Sequence, residues 1–177
     1  LDGVCKAFRK VVLLLNCGSV IDLSFLESYP IGAVLYVWQL GQEMGNAVAE
    51  VLTGKADPGG RLTDSIARRY GDYPSSDSFG NRDYNEYRED IFVGYRGFDK
   101  DNIEPLFPFG HGLSYSEFQY SDLAVEPKEN GAVVSFTVKN TGNVTAKETA
   151  QVYIGDPECS VARPIKELRN FKKVELK

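Results

Sequence analysis

Carboxylates, aromatic rings and an arginine crowd into one short stretch, Tyr84-Asn-Glu86-Tyr87-Arg88-Glu89-Asp90, followed by Ile91-Phe92-Val93-Gly94-Tyr95-Arg96. Flat aromatic faces beside charged groups suit sugar recognition: the ring lies on the apolar face and its hydroxyls bond to carboxylate and guanidinium. The same residue types also fill interfaces, with tyrosines plugging a seam and charges paired, and composition favours that reading. Three further motif matches carry no chemistry. Gly54-Lys-Ala-Asp-Pro-Gly59-Gly60-Arg61 has the outline of a phosphate loop but lacks Lys-Ser/Thr after the second glycine, and it follows a helix instead of opening one. Gly112-Leu-Ser114-Tyr-Ser116 starts as a nucleophile elbow, yet Ser116 stands in place of the second glycine. The single histidine, His111, lies three residues from Ser114, whereas a triad base arrives from a distant segment. Asn143-Val-Thr145 is a formal glycosylation acceptor in a predicted turn that already explains the asparagine. Cys5, Cys17 and Cys159 cannot all pair within one chain and show no zinc-ligand spacing, so no metal site is expected.

Composition bounds what such groups can be for. The 177 residues, 42% hydrophobic and 25% charged, suffice for one medium globular domain or slightly more. A net charge of -5 and an isoelectric point near 5.0 argue against nucleic acid as a partner, which needs a basic face. Purely apolar runs such as Val11 to Leu15 are far too short to cross a bilayer, so no membrane association is expected. No basic segment leading into an apolar one opens these residues, and no retained signal peptide is expected. The unpaired cysteines favour a cytoplasmic setting, with secretion or the periplasm as alternatives.

The elements change character along the chain. Val4, Ala7, Phe8 and Val11 recur at helical spacing, and Val11 to Leu15 reads as a strand buried on both faces. Asn16-Cys-Gly-Ser19 is a turn, Ser24 to Ser28 a short crossover helix, and Ala33 to Trp38 the next parallel strand. Met44, Ala47, Val48, Val51 and Leu52 form the clearest helical stripe, closed by Gly54 at the C′ position. This βαβα order predicts a parallel sheet under helices. From Lys55 to Phe118 periodicity fades into a Gly-, Pro- and aromatic-rich stretch, a functional loop or an interdomain wrap, in which only Ile91 to Tyr95 reads as a strand. Beyond Tyr120 the pattern alternates, as in Ala132 to Val138 and Ala150 to Ile154, with a turn at Asn140-Thr-Gly-Asn143. Three or four such strands fit where a β-sandwich needs about seven, so that second unit is expected to be incomplete.

Taken in order, several motifs carry a resemblance. Asn16-Cys-Gly-Ser19 after its strand, Gly41-Gln-Glu-Met-Gly45-Asn-Ala47, Asp57-Pro-Gly-Gly-Arg61-Leu62, Tyr87 to Arg96, and Phe107-Pro-Phe-Gly-His-Gly-Leu-Ser-Tyr115 resemble the second domain of family 3 glycoside hydrolases. Val138-Lys-Asn-Thr-Gly142, Ala150 to Ile154 and Arg163-Pro-Ile-Lys-Glu-Leu168 resemble the opening of that family's fibronectin type III-like domain. The resemblance implies an α/β fold: a parallel-sheet α/β sandwich domain over 1–122, incomplete at its start and carrying the aromatic-rich linker, followed by a truncated fibronectin type III-like β-sandwich over 123–177. Gly59 stands where the family usually has serine, and Thr63 where proline usually follows leucine. Asp64-Ser-Ile-Ala67 and Tyr87-Arg-Glu-Asp90 are closer to a bacterial branch with reversed domain order.

What the resemblance implies is a retaining β-glucosidase-type hydrolase, acting on a β-linked glucoside or oligosaccharide through two carboxylates, with no cofactor. The family's nucleophile is an aspartate in a barrel, and its acid/base glutamate precedes the segment resembling Val11 to Leu15. No eight-fold βα pattern is present and no glutamate precedes Val11, so no catalytic residue is expected within these residues, and the missing barrel is the expected partner. A non-catalytic carbohydrate-binding or interaction module is the competing class, and a homo-oligomer stays open. In parallel α/β sheets ligands collect beyond the carboxyl ends of the strands. Trp38, expected to end a strand, and Glu43, expected in the first turn of the following helix, are therefore the candidate substrate-binding residues, bordering an outer sugar subsite without taking part in bond cleavage.

Overall fold

The computed structural model describes residues 1–177, a mixed α/β chain whose sheets are small. Helix α1 (Asp2–Ala7), strand β1 (Val12–Leu15) and strand β2 (Ala33–Tyr36) open it, and α2 (Met44–Leu52) follows. The two strands pair in parallel, Val12 opposite Ala33 through Leu15 opposite Tyr36. Their connection contains one 3-10 turn, Ser24–Ser28, in place of the expected crossover helix. The five residues are too few for the α-helical ladder to propagate. Val11 and Leu15 are buried, but Val12 and Leu14 are exposed, so β1 is covered on one face and not on both as its unbroken apolar run predicts.

Helix α2 ends as its sequence requires. Gly54 takes φ +73°, its N–H donates to Val51 O at 3.0 Å, and the Lys55 N–H donates to Glu50 O at 2.8 Å. This Schellman arrangement satisfies the last carbonyls and disposes of the phosphate-loop resemblance. The apolar stripe of α2 is only partly covered: Met44, Val48 and Val51 are half-buried, and Leu52 is exposed.

The stretch from Lys55 to Phe118 is better ordered than its missing periodicity suggests. Leu62 N–H donates to His111 O and Gly110 N–H to Leu62 O, each at 2.8 Å, while Ile66 N–H donates to Phe107 O at 2.8 Å. These bonds form an irregular two-segment ladder with one antiparallel bridge, Ile66 to Phe107. Ile66 thereby enters the core beside Leu15 and Leu23, with Phe25, Val34 and Phe107 packed around them. The expected strand Ile91 to Tyr95 does not form. A turn runs through Arg88 to Ile91, closed by the Phe92 N–H donating to Glu89 O at 2.7 Å, Gly94 takes φ +60°, and Tyr95 opens helix α3 (Tyr95–Lys100). A left-handed residue at that point cannot continue an extended chain.

Four strands complete the chain. β3 (Phe118–Lys128) pairs antiparallel with β4 (Gly131–Asn140), and β5 (Ala146–Ile154) with β6 (Glu167–Leu176), each pair a two-stranded sheet. β3 thus begins at Phe118, before the position at which the sandwich-like pattern is first legible. It carries a bulge between Ser121 and Ala124 at Asp122, whose φ is 57°. Asn140 ties the two ribbons together, its amide donating to Val144 O and to Leu176 O.

Candidate functional site

The carboxyl edges of β1 and β2 lie side by side, because the last ladder bond, Val37 N–H to Leu15 O at 2.9 Å, leaves Asn16 and Trp38 as the next residues of each strand. Trp38 is not a strand residue, as the sequence suggests, but turns out of the sheet at φ 53°. Its ring stands 4.4 Å from Tyr36, centroid to centroid, at 45°. The Asn16 side-chain amide donates to Trp38 O and reaches Met44 Sδ at 3.3 Å, bridging the end of β2 to the start of α2. Tyr36 Oη donates to Ser19 O at 2.6 Å and accepts from Cys17 Sγ at 3.1 Å. Burial, reinforced by the Cys17 contact, pushes the phenol well above its ordinary range.

Glu43, expected within the first helical turn, stands instead at the N-cap of α2, because the helix begins at Met44. It makes no capping bond to the backbone. Its Oε2 accepts from the Asn46 amide at 2.5 Å, and the side chain is exposed. Trp38 and Glu43 therefore share the edge where the β1 and β2 loops meet α2, with one carboxylate oxygen of Glu43 uncommitted.

A second polar cluster joins the irregular ladder to β5. Asp57 accepts from Ser114 Oγ at 2.7 Å and from the Tyr115 amide at 2.8 Å through Oδ1, and from the Lys147 amide at 2.9 Å through Oδ2. Burial works to raise its pKa, but the Ser114 hydroxyl, the two amides and the Arg61 charge together hold the carboxyl below its ordinary value. Ser114 is thus committed to Asp57, which ends the nucleophile-elbow reading. Arg61 Nη2 meets Glu148 Oε2 at 2.5 Å with both side chains largely buried (11% and 13% exposed), and Tyr120 Oη donates to Glu148 Oε1 at 2.7 Å. His111 packs on Phe107, ring centroids 5.3 Å apart. Burial, with the Arg61 charge second, lowers its pKa and favours the neutral imidazole. An open cleft of about 520 Å³ lies over this cluster.

The aromatic and acidic stretch divides between its two readings. Tyr95 serves the seam: it stacks on Phe109 at 4.9 Å, meets Tyr153 edge-on, and accepts from the Leu168 amide at 2.8 Å. Lys166 pairs with Asp99 at 2.9 Å nearby. Tyr84 and Tyr87 remain exposed, while Arg88 is clamped by Asp77 and Glu86. Asn143 lies in the exposed turn between β4 and β5. The three cysteines are free thiols, and no cluster of three His, Cys, Asp or Glu side chains stands in metal-binding geometry.

Comparison with known proteins places this geometry. The model of the glycosyl hydrolase family 3 C-terminal domain matches residues 1–115, and that of a fibronectin type III-like domain matches 148–177. The chain belongs to glycoside hydrolase family 3. Among its family 3 relatives, a beta-glucosidase of Ruminococcus albus is 44% identical over 96% of this chain and 18% of its own length. An exo-alpha-(1->6)-L-arabinopyranosidase of Bifidobacterium breve is 41% identical over 100% of this chain and 24% of its own. The structure of beta-glucosidase 3B from Thermotoga neapolitana in complex with glucose superposes with a TM-score of 0.87 at 41% identity, over 97% of this chain and 24% of that one. The chain therefore spans about a fifth to a quarter of these relatives.

Within the family 3 segment, sequence reasoning missed the groups that organise both clusters. Asn16 looks like an ordinary turn residue; its signal is an amide side chain placed directly after a buried strand. Asp57 is hidden in a Pro-Gly-Gly turn, a place where a short carboxylate accepts from neighbouring amides. Gly59 also gains a reason. A Cβ there would lie 2.7 Å from Lys147 Cβ, so glycine, where the family usually carries serine, lets β5 approach the turn.

Proposed function

We propose that this segment belongs to a retaining β-glucosidase-type enzyme acting on a β-linked glucoside or oligosaccharide, in which it packs on the catalytic barrel and borders the sugar site. What carries the reading is the collinear family match over 1–115 and 148–177, joined to relatives named for glycosidase activity. In this reading the units divide near 122/123 into a parallel-sheet α/β domain and a fibronectin-like β-sandwich, and the protein works in the cytoplasm. The nucleophilic aspartate and the acid/base glutamate lie outside these residues. The first attacks the anomeric carbon to form a glycosyl-enzyme, and the second protonates the leaving oxygen and then activates water. Trp38 supplies an aromatic face and Glu43 a hydroxyl acceptor at the outer subsite, both at the carboxyl edge of the parallel strands where ligands of such sheets collect.

The enzyme carrying this segment is expected to release aglycone from aryl β-glucosides and to give the β-anomer as first product by NMR. This chain alone, which in this reading holds neither of the two catalytic carboxylates, is expected to release nothing above buffer. Turnover by the repurified chain alone, or inversion by the complete enzyme, overturns the assignment.

A further inference from the structure

Trp38 has the one backbone conformation near this edge that its side chain should resist. At φ 53° a bulky residue is a steric outlier, whereas glycine would sit there freely. Such a residue persists only where its surroundings over-determine it, and outliers of this kind cluster at binding sites. The surroundings here are specific. Asn16 Nδ2 donates to the Trp38 carbonyl, fixing the peptide that follows the left-handed turn, and touches Met44 Sδ at 3.3 Å, so the same amide locates the start of α2. Tyr36 backs the indole at 4.4 Å and is itself tied to Ser19 O at 2.6 Å. Trp38 is half-buried, with the Tyr36 ring against its indole.

We propose that Asn16 is a positioning residue for substrate: it holds the Trp38 backbone in the left-handed turn so that the indole stands as a rigid platform for the sugar unit beyond the cleaved bond. The proposal rests on the reading of Trp38 as a subsite residue. A platform fixed before binding loses little entropy when a sugar stacks on it, so loosening the clamp weakens binding of the outer sugar more than bond cleavage. Asn16 touches no reacting atom in this scheme.

Trp38 is the single tryptophan of this chain, so its fluorescence reports directly on the clamp. Asn16→Ala, and Asn16→Asp which keeps the shape but loses the donor, are expected to lower the steady-state anisotropy of Trp38 and red-shift its emission, with the far-UV circular dichroism unchanged. In the enzyme carrying this segment, Asn16→Ala should raise KM for a disaccharide by about 5-fold, with kcat and the KM for a short aryl glucoside changing by less than about 2-fold. Added to Trp38→Ala, the same substitution should have no further effect, because the two residues act as one unit. If Trp38→Ala leaves both KM values unchanged, the subsite reading fails and takes the platform with it. If Trp38→Ala raises the disaccharide KM but Asn16→Ala does not, or adds its full effect in the double variant, the subsite reading stands and Asn16 is not its positioning residue. Unchanged anisotropy in both Asn16 variants also overturns the clamp.

Discussion

Single residues decide how the two parts of this chain meet. Asp57 accepts three hydrogen bonds from two separate segments, Ser114 and Tyr115 on one and Lys147 on the other, and its carboxyl is held below its ordinary pKa. A carboxylate with a lowered folded-state pKa adds stability that is fully present above the unfolded value of 3.8 and is lost as the pH falls through the lower folded value. Asp57→Asn keeps one acceptor but turns an amide donor toward one of the N–H or O–H groups. We expect it to cost about 2 kcal/mol near neutral pH. The Tm gap between parent and variant should stay constant above pH 3.8 and narrow below it. His111 also titrates with a lowered value, so acid destabilises through it from below its ordinary 6.5, but both proteins share that loss and it cancels in the gap. A gap that widens on acidification would remove Asp57 from this role.

At the scale of elements, the seam between the irregular ladder and β5 depends on one nearly buried ion pair. Arg61 and Glu148 pair at 2.5 Å, and Tyr120 bonds the second carboxylate oxygen. Removing one partner of a buried pair strands the other charge, at a cost of about 3–5 kcal/mol, whereas replacing both with apolar groups is often close to neutral. Arg61→Met is therefore expected to lower the urea midpoint strongly, and Arg61→Met with Glu148→Leu to recover most of it. If the single variant costs less than about 1 kcal/mol, the pair behaves as an exposed one and does not hold the seam. This seam also shows where the sequence stops being informative. β1 and β2 were legible as unbroken apolar runs, and α2, β4 and β5 because an apolar period of 2 or 3.6 survives in each. The ladder of Leu62 and Ile66 with Phe107 and His111 was not, because its bonds join two irregular segments and leave no period in either. Ile91 to Tyr95 misled in the opposite way: its apolar run imitates a strand, and the left-handed Gly94 breaks it. Topology puts Trp38 and Glu43 at the carboxyl edge of the parallel strands, yet the turn at Trp38 depends on a positive φ that composition does not reveal.

The whole molecule exposes far more surface than its mass requires. A compact monomer of 19.7 kDa has about 8,600 Å² of accessible surface, whereas this chain has 12,837 Å². The excess is not evenly distributed. Leu15, Leu23 and Ile66 form a small buried core under β1 and β2, while the β3–β4 ribbon holds no buried residue, and Leu123, Val125 and Val133 on it are exposed. A two-stranded ribbon is marginally stable by itself in water, so most of the protection of β3 and β4 must come from whatever covers them. For the isolated chain, amides of β3 and β4 are expected to exchange faster than those of β1 and β2, which rest on the core. In the enzyme proposed above, the rest of the molecule should cover the ribbon, and its exchange should slow toward that of the core strands. Hydrogen exchange read by mass spectrometry on both forms distinguishes the cases, with sedimentation used to establish that the isolated chain is monomeric. Equal protection of β3–β4 and β1–β2 in that monomer would mean that the ribbon is stable without a covering layer, and the picture of a segment completed by the surrounding enzyme would fail at the scale where it is most exposed.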